Sequence, residues 1–173
     1  MLFDLSMFTL LHVVISLLGI VAGLVMAGGF MAGVKLDGWF TVFLVTTALT
    51  SATGFGFSNA SVTPAQVVGG LSLVVLAVAA AARYWKELSG IWRSVFVVAS
   101  VAALYLNVFV LVVQLFAKTP ALKELAPTQS EPPFAITQIL VLALFAWIGR
   151  AAVAGLRRAP DARSTRRSPG VPA

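Results

Sequence analysis

The chain contains no cysteine, which excludes disulfides, thiolate metal sites, iron–sulfur clusters and cysteine nucleophiles. It has a single histidine, His12, so a metal site needing two histidines of one chain is excluded as well. Charge is scarce: 10% of the 173 residues are Asp, Glu, Lys or Arg, against 60% hydrophobic. Asp37, Glu87, Glu124 and Glu131 all fall outside the long apolar runs. The buried carboxylate on which a proton relay or cation-driven transporter relies is therefore missing. His12 and Ser16, one helical turn apart, supply two members of a hydrolytic triad, but no orienting acid accompanies them. An enzyme is not expected.

What the chain has instead is length of apolar sequence. Five runs of roughly 20 residues, the number needed to cross a hydrocarbon core of about 30 Å, lie at about 8–33, 39–57, 65–82, 94–117 and 134–153. They predict an all-α, polytopic bundle of five transmembrane helices. A four-span alternative would lay Phe134 to Val153 in the interface, but that run is long and almost uncharged. The membrane domain is expected over 1–155. A basic tail at 156–173, rich in Arg, Ser and Pro, has no apolar periodicity and is expected to be disordered. No Lys or Arg precedes the first run, unlike the start of a secretory signal, so that run is read as a retained helix.

The net charge of +6 is distributed between and after the runs. With five spans, ten Lys and Arg fall on the side of Lys35, Arg83, Arg93 and the C-terminus, against Lys118 and Lys123 on the other. That asymmetry places the N-terminus outside and the C-terminus in the cytoplasm, and leaves no basic surface to explain by nucleic-acid binding. Trp39, Trp85, Trp92 and Trp147 fall toward the same cytoplasmic ends, where aromatic rings sit at headgroup level.

In this orientation the polar inventory gathers toward the outer leaflet: His12 and Ser16 in the first run, Thr50 and Thr53 in the second, Gln114 late in the fourth, Gln138 early in the fifth, and Glu131 in the loop above. Ser100, Asn107 and Gln114, seven apart, form one stripe of the fourth run that drifts only about 20° per heptad. Such groups in lipid face protein or a wet cavity. Hydrogen bonding between helices is the leading reading, and a ligand cavity the alternative. In the first run Gly19 and Gly23, then Gly29 and Gly33, are small-xxx-small pairs that admit a close helix neighbour.

The segments LLHVVISLLGIVAGLV, LDGWFTVFLVTTALTSATGFGF, ALYLNVFVLVVQLF and LAPTQSEPPF together resemble a group of small multi-pass bacterial inner-membrane proteins of unassigned function, over about residues 3–150. The resemblance implies a bacterial inner-membrane setting and brings no catalytic or binding residues. The function expected first is a non-enzymatic accessory or structural subunit, whose partners are the bilayer and another membrane protein or a second copy of the chain. The alternatives are a small-ligand binder or carrier using the outer polar zone, and a redox anchor holding quinone or haem through His12. No cofactor is required by the leading reading.

Overall fold

The computed structural model describes residues 2–56 and 63–158. Part of the uncharged loop between the second and third runs, and the tail from 159, lie outside the described residues, as does the disorder expected there. The described residues form helices and connecting turns, with no strand. The helices are α1 (Leu2–Met31), α2 (Asp37–Gly54), α3 (Pro64–Ala80), α4 (Trp92–Lys118), α5 (Pro120–Leu125) and α6 (Pro132–Arg158), with a π-helical turn at Ala81–Trp85 after α3.

Four helices are long and apolar enough to cross a membrane: α1, α3 with its π turn, α4 and α6. The run weighed as interfacial is thus among them. α2 is not, because Asp37 and its six hydroxyl residues dilute an otherwise apolar sequence. Its 18 residues still measure about 27 Å at 1.5 Å per residue.

Local chemistry sets the helix ends. Gly33 at φ 76 stops α1: its N–H donates to the Phe30 carbonyl and the Val34 N–H to the Gly29 carbonyl, the paired bonds of a Schellman cap. Thr63 and Gln66 form a reciprocal capping box at the start of α3, with Pro64 in its first turn. The stretch 118–133, expected as loop, contains the short helix α5. Val112, Phe116 and Ala126 cluster with Phe134 beneath it and seat this segment on α4.

Helix directions alternate. One end of the bundle gathers the end of α1, the start of α2, the end of α3, the start of α4 and the end of α6. There Arg83 pairs with Asp37 at 2.8 Å, Arg157 donates to Ser94 Oγ at 3.1 Å, and Gly155 lies against the Phe30 and Met31 carbonyls. Around the bundle α1 packs on α2, α2 on α3, α3 on α4, α4 on α6 and α6 on α1, while α1 also meets α4 across the middle.

The densest packing sits toward this end. Phe96 meets Phe30 and Phe40 edge-on, with ring centroids 5.3 and 4.8 Å apart, among buried Met26, Phe43, Val97 and Leu104. Gly23 makes that contact feasible, since a Cβ there would stand 2.5 Å from Leu104 Cδ1 and 2.9 Å from Phe43 Cδ2. Gly19 likewise admits Thr46 and Thr47 of α2. The second glycine pair does something else. A Cβ on Gly29 would strike Leu36 and the Val34 carbonyl, so Gly29 and Gly33 shape the α1–α2 turn, where the chain folds back on its own helix.

Candidate functional site

Away from the aromatic core the helices part. Between α1, α2, α3 and α4, at the end opposite the Asp37–Arg83 pair, lies a cavity of about 570 Å³, within the range of small-molecule sites. Most of its wall is apolar; Ile20 forms part of the α1 side and Val110 and Leu111 part of the α4 side. Val13 and Leu17 on α1 and Leu115 on α4 line it and are exposed, so the apolar wall continues to the surface of the bundle.

Polar groups enter from all four helices. His12 Nδ1 lies 2.8 Å from Thr53 Oγ1, and Ser16 donates to the His12 carbonyl at 2.7 Å and to Thr50 Oγ1 at 3.3 Å. Thr53 donates in turn to the Leu49 carbonyl at 2.7 Å, the local bond that lets a hydroxyl sit in a helix interior. These contacts tie α1 to α2 along one edge of the cavity. Asn107 reaches across from α4 and donates to Thr47 Oγ1 at 2.9 Å, leaving its amide oxygen for the cavity that it lines. Gln114, one heptad further along α4, lines the cavity as well, and its side chain forms no hydrogen bond with a described residue.

The first turn of α3 closes the far wall with Thr63, Ala65 and Gln66. Gln66 Oε1 accepts the Thr63 N–H at 2.9 Å, and its amide NH₂ remains as a donor. The α3 terminus adds the positive end of its dipole, and Lys118 stands at the rim as a further donor. The cavity is therefore an apolar chamber whose polar end carries donors at Gln66, Gln114 and Lys118 and acceptors at Asn107 and Gln114.

Among the residues singled out from sequence, the structure brings His12, Ser16, Thr50, Asn107 and Gln114 to the cavity wall, with Thr53 behind His12. Two others go elsewhere. Gln138 is buried where α6 meets α4, donating to the Phe109 carbonyl at 3.3 Å, and its Oε1 has no partner among the described residues. Glu131 accepts from the Thr128 amide, the Thr128 hydroxyl and the Ser130 amide at 3.1, 2.9 and 3.1 Å, so it organises its own loop. Ser100, the first member of the α4 stripe, lies in the core, fully buried, and its hydroxyl has no hydrogen-bond partner among the described residues.

Sequence reasoning missed Ser72, Gly69 and Lys118, all of which line the cavity. The signal for two of them was present. Gln66, Gly69 and Ser72 recur at three-residue spacing, which marks a small and polar face on a helix otherwise made of Val, Leu and Ala. Among the described residues no methionine, the side chain that could join His12 as an axial ligand, lines the cavity. The described residues contain no cluster of His, Cys, Asp or Glu suited to a metal ion. The chain matches no protein-family model, no curated protein and no solved structure.

Proposed function

We propose that this chain is a five-span, non-enzymatic protein of the bacterial inner membrane, with its N-terminus outside and its C-terminus in the cytoplasm. In this reading it holds a small amphiphilic molecule in the cavity at its outer end. The observation that carries the reading is the cavity itself: about 570 Å³, apolar along most of its wall, with polar groups from four helices at one end. Donors at Gln66, Gln114 and Lys118 suit a head bearing carbonyl or carboxylate oxygens, and the Val and Leu wall suits a hydrocarbon body. Quinones and acyl-chain carboxylates belong to that class. Exposed Val13, Leu17 and Leu115 offer such a molecule a path from the lipid without crossing headgroups. As the fifth span, α2 turns most of its hydroxyls inward: Thr47 and Ser51 are buried and Thr46, Thr50 and Thr53 half-buried, while Thr41 near its start is exposed.

A second reading, an accessory subunit that docks another membrane protein, is favoured by a different observation. His12–Thr53, Ser16–Thr50 and Asn107–Thr47 use polar groups to join helices, a structural role worth about 0.6–2 kcal/mol per bond. Native mass spectrometry of the full chain, extracted gently from its own membrane, separates the two. Added mass from one small molecule, lost in Gln114→Leu and Ser72→Leu, supports the ligand reading. A stoichiometric protein partner with no added small mass overturns it in favour of the accessory subunit.

A further inference from the structure

A second hollow, of about 600 Å³, lies on the outside of the bundle between α4 and α6. It exists because small residues form its floor: Ala102 on α4, and Ala146 and Gly149 on α6. A Cβ on Gly149 would be in ordinary contact with Val101 Cγ1 at 3.7 Å, and nothing larger fills the space. Tyr105 and Phe145, with ring centroids 5.9 Å apart, form its aromatic flank.

One end of this groove is cationic. Arg150 and Arg157 both line it and both are exposed. Seven residues apart on one helix, they share a face and stand about 10 Å apart along the axis. Neither has a carboxylate partner among the described residues. Arg157 spends one donor on Ser94 Oγ, and each guanidinium carries five. α6 is 27 residues long, about 40 Å, and so outruns a hydrocarbon core of roughly 30 Å. Its last turns stand in the headgroup layer, within reach of an Arg150 stem extended along the apolar wall.

We propose that this groove is a binding site for one anionic phospholipid of the adjacent leaflet. An acyl chain lies along the small-residue floor, and the phosphate sits between Arg150 and Arg157. A flexible, unbranched hydrocarbon fits a narrow apolar channel, and two guanidinium forks match phosphate oxygens in bidentate geometry. Headgroup charge gives the selectivity. Phosphatidylethanolamine would set its ammonium beside two cations, whereas phosphatidylglycerol adds none. The site is separate from the cavity between α1, α2, α3 and α4 and stands whether or not that cavity holds a ligand.

Titration of the detergent-solubilised full chain with phosphatidylglycerol or phosphatidylethanolamine of identical acyl chains, read by native mass spectrometry, tests the site. The wild type is expected to retain phosphatidylglycerol preferentially. The double variant Arg150→Gln, Arg157→Gln should weaken that binding by about twenty-fivefold, about fivefold for each cation near the surface, and leave phosphatidylethanolamine unaffected. Gly149→Leu, which fills the floor, should reduce retention of both lipids. A control at the other basic cluster, Lys86→Gln, should keep the wild-type preference. Equal retention of the two lipids by the wild type, or an unchanged preference in the double arginine variant, would overturn the proposal.

Discussion

Gly23 decides how closely α1 approaches its neighbours, because Leu104 and Phe43 occupy the space where any side chain would go. Gly28, five residues on, is exposed and has nothing within 4 Å of the same position. Gly23→Leu is expected to destabilise the bundle by about 1–3 kcal/mol or more through overpacking, and Gly28→Leu to change little. Thermal unfolding in detergent, followed by size-exclusion retention, compares the two directly. Glu131 supplies a second test at this scale. Desolvation acts to raise its pKa, but hydrogen bonds from the Thr128 hydroxyl and from backbone amides, including those of Thr128 and Ser130, outweigh it and hold the carboxyl below its ordinary value. A depressed folded pKa means that the loop's contribution is present above the unfolded value and is lost as pH falls through the folded one. An NMR titration should find Glu131 ionising below the ordinary glutamate range and Thr128→Val moving it back upward. An unperturbed titration in the wild type would contradict the hydrogen bonds described. Neither the contact at Gly23 nor the role of Glu131 was legible in full. The glycine spacing announced close packing, but only the fold distinguishes Gly23, against two helices, from Gly29 and Gly33, which serve a turn.

Among the elements, helices were more legible than their ends and their partners. The apolar runs fall on α1, α3, α4 and α6, although α1 starts six residues before its run and α6 continues five beyond, because long apolar stretches have few other places to go. α5 escaped notice since six residues carry too short a pattern to reveal a period. The π turn at Ala81–Trp85 lies in a basic aromatic stretch whose sequence shows only its interfacial character. There the Lys86 amide bonds to the Ala81 carbonyl at 3.0 Å, and Leu88 follows at φ 57 yet is buried. The α3 cap was readable as Thr63-Pro64-Ala65-Gln66, a threonine with glutamine three residues later. Thr63→Ala should cost about 1 kcal/mol, and because the first turn of α3 forms one wall of the cavity, it should also weaken retention of the amphiphile that the proposed function places there. Loss of stability with ligand retention unchanged, measured on the same preparation, would separate the cap from the site.

For the molecule as a whole, the alternation of helix direction and the distribution of charge point the same way. Lys35, Arg83, Lys86, Arg93, Arg150, Arg157 and Arg158 belong to the end with the aromatic core, and Lys118 and Lys123 to the end with the cavity. Composition anticipated polar residues at that end. It could not say which of them meet, since Gln114 and Gln138 look alike in sequence, both one turn or more inside a helix end. Packing sends Gln114 into the cavity and Gln138 to a carbonyl of α4. The proposed cavity at the outer end of the bundle lends itself to a direct test because the chain has no cysteine of its own. A single Gln114→Cys variant should react with a membrane-impermeant maleimide applied to intact spheroplasts, while Ser89→Cys, in the turn before α4, should react only in inverted vesicles. Protection of Gln114→Cys from outside, or its labelling only in inverted vesicles, would contradict the cavity, the orientation, or both.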